Sequence, residues 1–199
     1  GSAQGRMSYA VVEVQSRHPT LVAEVRRRFV AEKYASVIDA FYSGAGISQP
    51  PSFYLWMVER LGLQPDDVYL DVACGRGELV ALAQARGVAA HGLDLSTAAL
   101  QHGRAAGSGC LVAGDGQQLP YADNTFTLVS NIGSLEHCAD MVAAARQMAR
   151  VLRPGGRAVV LVPNTFSLLT NVWIALRQGR TSLDDQPIQR YLARQEWQH

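Results

Sequence analysis

The chain has 199 residues, 48% hydrophobic and 18% charged, with a formal net charge of +1; this suits one soluble domain with a good core, plus at most a small extension. So little net charge gives no field to steer the protein towards nucleic acid or an anionic membrane, and the one basic run, Arg26-Arg27-Arg28, reads as a solvated helix face. No apolar stretch approaches the roughly 20 residues of a membrane helix, and three cysteines (Cys74, Cys110, Cys138) show no pairing or metal-ligand spacing, so a reducing, cytoplasmic, metal-free protein is expected.

In chain order, Gly1-Ser2 reads as a protease-tag remnant, and Met7 is the expected native start within a flexible segment over 1–19. Apolar residues at three- and four-residue intervals predict helices over 20–42 and 52–63, together an N-terminal helical cap over 20–64. Short apolar runs then predict strands over 68–73, 89–95, 110–115, 126–132 and 157–163, alternating with helical segments that begin at Glu78, Ser96 and Asp140. Ser96 is a natural N-cap, Gly87 follows one helix, and "RPGG" at 153–156 separates another from the last strand. Strand-helix alternation of this kind implies right-handed crossovers, hence a doubly wound α/β fold: a mainly parallel sheet with helices on both faces, over 65–163. A helical segment over 164–199 closes the chain.

Ligands of such sheets bind beyond the carboxyl ends of the strands, where the strand order reverses. The first predicted strand ends in Asp71 and the loop Ala73-Cys74-Gly75-Arg76-Gly77, the second in Asp94, the third in Gly114-Asp115-Gly116 and the fourth in Asn131-Ile132-Gly133. A glycine-rich turn after a strand usually cradles phosphate, but Asp71 would repel one. Three carboxylates at consecutive strand ends need donors or a cationic ligand, because an unpaired buried charge costs several kcal/mol.

Asp94 lies 23 residues after Asp71, near the offset of roughly 20 at which an acid accepts from ribose hydroxyls. The competing reading of Asp94 is a helix-start acid before Ser96. Asp115 suits an exocyclic amine such as that of adenine, or alternatively is a turn residue between glycines. Gly75 and Gly77 permit close backbone approach to a ligand, or merely a tight connection.

Over about 68–163, "VYLDVACGRGELV", "GLDLSTAAL", "GDGQQLPYADNTFTLVSNIGSLEHCAD" and "ARVLRPGGRAVVLVPN" occur in that order. Together they resemble the motifs of the class I S-adenosylmethionine-dependent methyltransferases, particularly the small-molecule, ubiquinone/menaquinone type. The resemblance implies that Asp71 and the loop Ala73, Cys74, Gly75 and Gly77 hold the methionine part of S-adenosylmethionine. Asp94 would take the ribose hydroxyls, with Leu95 against the adenine. Asp115 would accept from the adenine amine, Gly116 and Gln117 would line that pocket, and Asn131 with Ile132 would flank the sulfonium. Two positions depart from the family pattern: Ala73 stands where glycine is usual, and Thr127 where aspartate is usual.

The implied reaction is methyl transfer to an O, N or C nucleophile of a small-molecule acceptor. His137, in "SLEHC", is the candidate general base, with a helix-start role as its structural alternative. Acceptor contacts are expected from aromatics of the flanking segments, Tyr34, Tyr42 and Tyr54 on one side and Phe166, Trp173 and Tyr191 on the other. Asn131-Ile132-Gly133-Ser134 lacks the Asn-Pro-Pro-aromatic pattern of relatives that methylate nucleic-acid bases or protein amides, so those acceptors are disfavoured.

A nicotinamide dehydrogenase is the first alternative, weakened because the loop lacks a third glycine at the required place. A non-methylating binder of the same cofactor is the second. The resembled family usually adds two strands after a fifth helix, so a truncated C-terminus is expected. A sheet that ended at the fifth strand would expose an edge able to pair with another chain, the basis for expecting a homodimer.

Overall fold

The computed structural model describes residues 49–162. The helix expected over 20–42, the terminal segments, and Tyr34, Tyr42, Phe166, Trp173 and Tyr191 lie outside the described residues.

Helix α1 (Pro51–Leu61) precedes the sheet. Proline at its first position suits a site that needs no N–H donor, and Gly62, left-handed at φ 58°, ends it. Then follow β1 (Val68–Val72), α2 (Glu78–Gln84), β2 (Ala89–Asp94), α3 (Thr97–Ala105), β3 (Leu111–Ala113), β4 (Phe126–Ile132), α4 (Met141–Val151) and β5 (Leu152–Leu161), with one 3₁₀ turn at Leu135–His137. Ser96 caps α3 by accepting from the Ala99 N–H at 3.1 Å, and Asp140 caps α4 by accepting from Ala143 at 2.8 Å.

The five strands are ordered β3-β2-β1-β4-β5, and every pairing is parallel. The order therefore reverses between β1 and β4, which opens a crevice at their carboxyl ends.

Strand alternation divides the core in two. Tyr69 belongs to one apolar cluster with Leu61, Val80, Ala83, Leu100 and Leu128, contributed by α1, α2, α3 and β4. Leu70 and Val72 belong to the other, with Leu93, Phe126, Val129, Met148 and Val151. Both faces of the sheet are thus covered, which is why β1 and β4 read as nearly continuous apolar runs. The same alternation puts Asp71 on the Tyr69 face at the crevice.

The last strand differs from expectation. Leu152 already pairs with Phe126, but the next pairing joins Arg157 to Leu128, so the residues between them bulge from the ladder. Gly155 takes φ 79° there, and a Cβ on Gly156 would lie 2.9 Å from the Arg153 carbonyl. "RPGG" is therefore a bulge within the strand, not a separator before it.

Thr127 also acquires a structural account. Its hydroxyl donates to Asp67 Oδ1 at 2.6 Å and accepts from the Val68 N–H at 3.0 Å, tying the start of β4 to that of β1. Burial opposes ionisation of Asp67, but the Thr127 hydroxyl, the Gln64 N–H and the Arg157 guanidinium together hold its pKa below the usual value.

Candidate functional site

Beyond β1, β2 and β4 lies a cavity of about 350 Å³, at the reversal of strand order. The loop after β1 forms its floor. Ala73, Gly75 and Gly77 have φ of 62°, 57° and 77°, so the chain reverses tightly enough to aim backbone at the cavity and still enter α2. The loop is fastened to β2 at two points, with Cys74 N–H donating to the Leu93 carbonyl at 3.0 Å and Gly75 N–H to Asp94 Oδ2 at 2.7 Å.

The other Asp94 oxygen, Oδ1, accepts from the Ser96 N–H at 2.8 Å. Asp94 therefore organises the start of α3 and the loop, and it also lines the cavity. Asp115 behaves similarly: Oδ1 accepts from the Gln117 N–H at 2.8 Å and from Gln117 Nε2 at 3.0 Å while the residue faces the cavity. Gln117 Oε1 in turn accepts from the Asp140 N–H at 2.8 Å, joining this wall to the cap of α4.

Asp71 is only 4% exposed. Ser130 donates to its Oδ1, and the Ser130 hydroxyl is paired with that of Tyr69 at 2.7 Å. Burial pushes the Asp71 carboxyl up to about 7; the Ser130 hydrogen bond opposes the rise, and the negative field of Asp94 adds to it. The Cys74 thiol is likewise pushed well up by burial, and further by Asp71 and Asp94, which keeps it protonated.

Asn131 is 1% exposed and lines the cavity. Its Nδ2 donates to the Val72 carbonyl at 3.1 Å, while Oδ1 is buried with no hydrogen-bond partner. A buried acceptor left unmatched costs about 1–3 kcal/mol.

Of the residues expected at the cofactor, Asp71, Ala73, Cys74, Gly75, Asp94, Leu95, Asp115, Gly116, Gln117, Asn131 and Ile132 all line this one cavity. Gly77 does not. It stands behind the loop, where a Cβ would meet Leu111 Cδ2 at 2.9 Å. His137 lines the cavity from the 3₁₀ turn, 8% exposed, with Nε2 3.8 Å from Glu136 Oε1.

Sequence reasoning missed Gln49, Phe53, Glu78, Leu79, Cys138 and Leu161 as lining residues. Glu78 was concealed because an acid in the first turn of a helix has an ordinary dipole explanation; burial raises its pKa. Phe53 and Leu79 looked like core, and they do pack together with Met57 and Val58. Gly103 was missed too: a Cβ there would lie 2.1 Å from the Arg76 carbonyl, so its absence lets α3 press against the loop.

Among the described residues lining the cavity there is no arginine or lysine. The acceptors gathered there suit a donor-rich or cationic ligand, and residues 70–160 match the family described as methyltransferase domain. The chain carries a class I methyltransferase domain.

This methyltransferase domain is 39% identical over 102 residues to a demethylmenaquinone methyltransferase of Corynebacterium kroppenstedtii, covering 51% of this chain and 44% of that one. It is 30% identical over 187 residues to a biotin biosynthesis bifunctional protein of Cellvibrio japonicus, covering 86% of this chain and 36% of the relative. The chain thus spans less than half the length of these two relatives. A putative methyltransferase of Haloferax volcanii, solved in complex with a methyltransferase activator, shares the fold at a TM-score of 0.59 and 19% identity, over 94% of this chain and 74% of that one. No helix among the described residues is long and apolar enough to cross a membrane.

Proposed function

We propose that the domain binds S-adenosylmethionine in the cavity between β1 and β4 and transfers its methyl group to an O, N or C nucleophile of a small molecule. The observation that carries this reading is the acidic wall of Asp71, Glu78, Asp94 and Asp115, with no lysine or arginine among the described lining residues. Phosphate would be repelled by that wall, whereas a ligand bearing an ammonium, a sulfonium, ribose hydroxyls and an adenine amine offers a donor or a positive charge to each member. When bound, the cofactor supplies an electrophilic methyl on a positively charged sulfur.

The residues divide the work. Ala73, Cys74, Gly75 and Asp71 hold the methionine end, Asp94 the ribose, and Asp115 the adenine amine, with Leu95, Gly116 and Gln117 around the base. Asn131 and Ile132 flank the sulfonium. Phe53, Tyr54, Leu79 and Leu161 give the remaining wall an apolar lining, which excludes water and favours an uncharged, apolar acceptor. Alignment is the main contribution of the protein, since holding reactants in attack geometry supplies roughly 7–11 kcal/mol. His137 takes the acceptor proton where methylation requires its loss.

The cysteines Cys74, Cys110 and Cys138, which form no disulfide among the described residues, fit a reducing cytoplasm. Calorimetry with S-adenosylmethionine and with NAD, followed by measurement of S-adenosylhomocysteine release over a panel of quinols, phenols and amines, tests the reading. Binding of S-adenosylmethionine with turnover of one panel member is expected. NAD binding without S-adenosylmethionine binding would overturn it, and cofactor binding without turnover on any acceptor would favour a non-methylating binder.

A further inference from the structure

Behind the cavity wall, Asp71 is supported by two hydroxyls that never touch the cavity. Asp71 on β1 and Ser130 on β4 are registered partners in the sheet, and Tyr69 lies two residues before Asp71 on the same face. Ser130 and Tyr69 are fully buried, and of the three only Asp71 lines the cavity. Ser130 donates its single hydroxyl proton to Asp71 Oδ1, so the Ser130 oxygen must accept from the Tyr69 hydroxyl, 2.7 Å away. The result is a tyrosine–serine–carboxyl network in which both hydroxyls favour the charged form of Asp71.

We propose that Ser130 and Tyr69 are positioning residues for Asp71, their buried hydroxyls fixing its carboxyl at the cavity wall so that a cationic ligand bound there displaces a proton. This rests on the reading of the cavity as an S-adenosylmethionine site.

The surroundings support it. Asp94 from β2 and Glu78 from α2 both raise the proton affinity of Asp71, and the neighbouring Cys74 thiol stays protonated. Asp115, His137 and Cys138 line the same cavity, with no lysine or arginine among the described lining residues. No fixed cation therefore stands ready to neutralise Asp71 before a ligand arrives. Burial holds its carboxyl near 7, and the Ser130 donor, which favours the charged form, keeps it from going higher. A positive charge entering the cavity then drives the proton to solvent.

The test is titration calorimetry with S-adenosylmethionine between pH 5.5 and 8.5, in buffers of different ionisation enthalpy. About half a proton should leave per ligand bound near pH 7, approaching one at pH 5.5. Affinity should fall towards tenfold per pH unit below 7 and level off above 8. D71N should bind weakly, without proton release and without that pH dependence. S130A, which removes the donor to the charged form, should move the midpoint of the profile upward; Y69F should do so less, and S130T should restore it.

A purely structural role for the serine would lower affinity equally at every pH. Tight binding with no proton release overturns the inference while leaving the cofactor reading intact, as does an S130A midpoint at the wild-type pH. Absence of S-adenosylmethionine binding at every pH overturns both. A second readout needs no ligand: thermal unfolding of the free domain should show the same displacement of the pH midpoint between wild type and S130A.

Discussion

Ala73 has a side chain where the backbone asks for none. At φ 62° it occupies the left-handed region, which costs a residue with a Cβ roughly 1–2 kcal/mol. Replacing it by glycine removes that strain but adds unfolded-chain entropy worth about 0.4–1 kcal/mol. A73G should therefore leave stability unchanged or raise it by up to about 1.6 kcal/mol in urea unfolding, with no loss of cofactor affinity. A clear drop in affinity would show that the Ala73 methyl packs against the ligand, and a drop in stability that it packs within the protein.

Asp71 makes the opposite trade. Its folded pKa of about 7 stands above the ordinary 3.8, so the folded state holds the proton more tightly than the unfolded one. The resulting stabilisation is complete below about pH 4 and is lost as pH rises through 7. D71N cannot ionise, so its stability relative to the wild type should climb between pH 4 and 7, by at most about 1.4 kcal/mol per unit, and level off above 8. Paired urea titrations check this, and a constant difference across that range would contradict it. A carboxyl that destabilises the free protein at neutral pH is typical of a residue kept for binding.

At the scale of elements, helix α3 illustrates how packing reverses propensity. Gly103 sits inside that helix, where alanine is ordinarily better by about 1 kcal/mol. Yet a Cβ there would come within 2.1 Å of the Arg76 carbonyl and 2.8 Å of Leu111 Cδ1, so the helix would have to leave the loop. G103A should destabilise the protein by about 1–3 kcal/mol and weaken S-adenosylmethionine binding, because the displaced loop carries Gly75, which holds Asp94. Chemical denaturation and calorimetry on the same variant separate the two effects.

Element identity was largely legible: the 3.6-residue period placed α1 to α4 and short apolar runs placed all five strands, with Ser96 as a cap. Boundaries were less so. The bulge in β5 was missed because glycine and proline announce a turn, and only the ladder from Phe126–Leu152 to Leu128–Arg157 shows that pairing resumes across it.

At the scale of the whole molecule, the cavity exists because a parallel sheet changes direction at β1 and β4 while both of its faces are sealed by helices. The walls come from every loop at one end of the sheet, so a ligand there should stabilise the domain as a unit. At a hundred times its dissociation constant a ligand adds about 2.7 kcal/mol, which for a chain of this size raises the thermal midpoint by about 5–10 °C. S-adenosylmethionine should produce that shift and NAD should not, in a thermal melt read by fluorescence or calorimetry.

The sequence by itself determined the doubly wound class and the set of strand-end residues, because hydrophobic period and the glycine and acid punctuation are local properties of the chain. It could not decide between the two readings of Asp94 or of Asp115; tertiary structure showed each carboxylate organising local backbone while the residue lines the cavity. Only packing could reveal Gly103, Glu78, the unmatched Asn131 Oδ1 and the Tyr69–Ser130–Asp71 network. Each of these depends on which atoms two distant segments bring within a few ångströms of one another, and no periodicity within one segment carries that information.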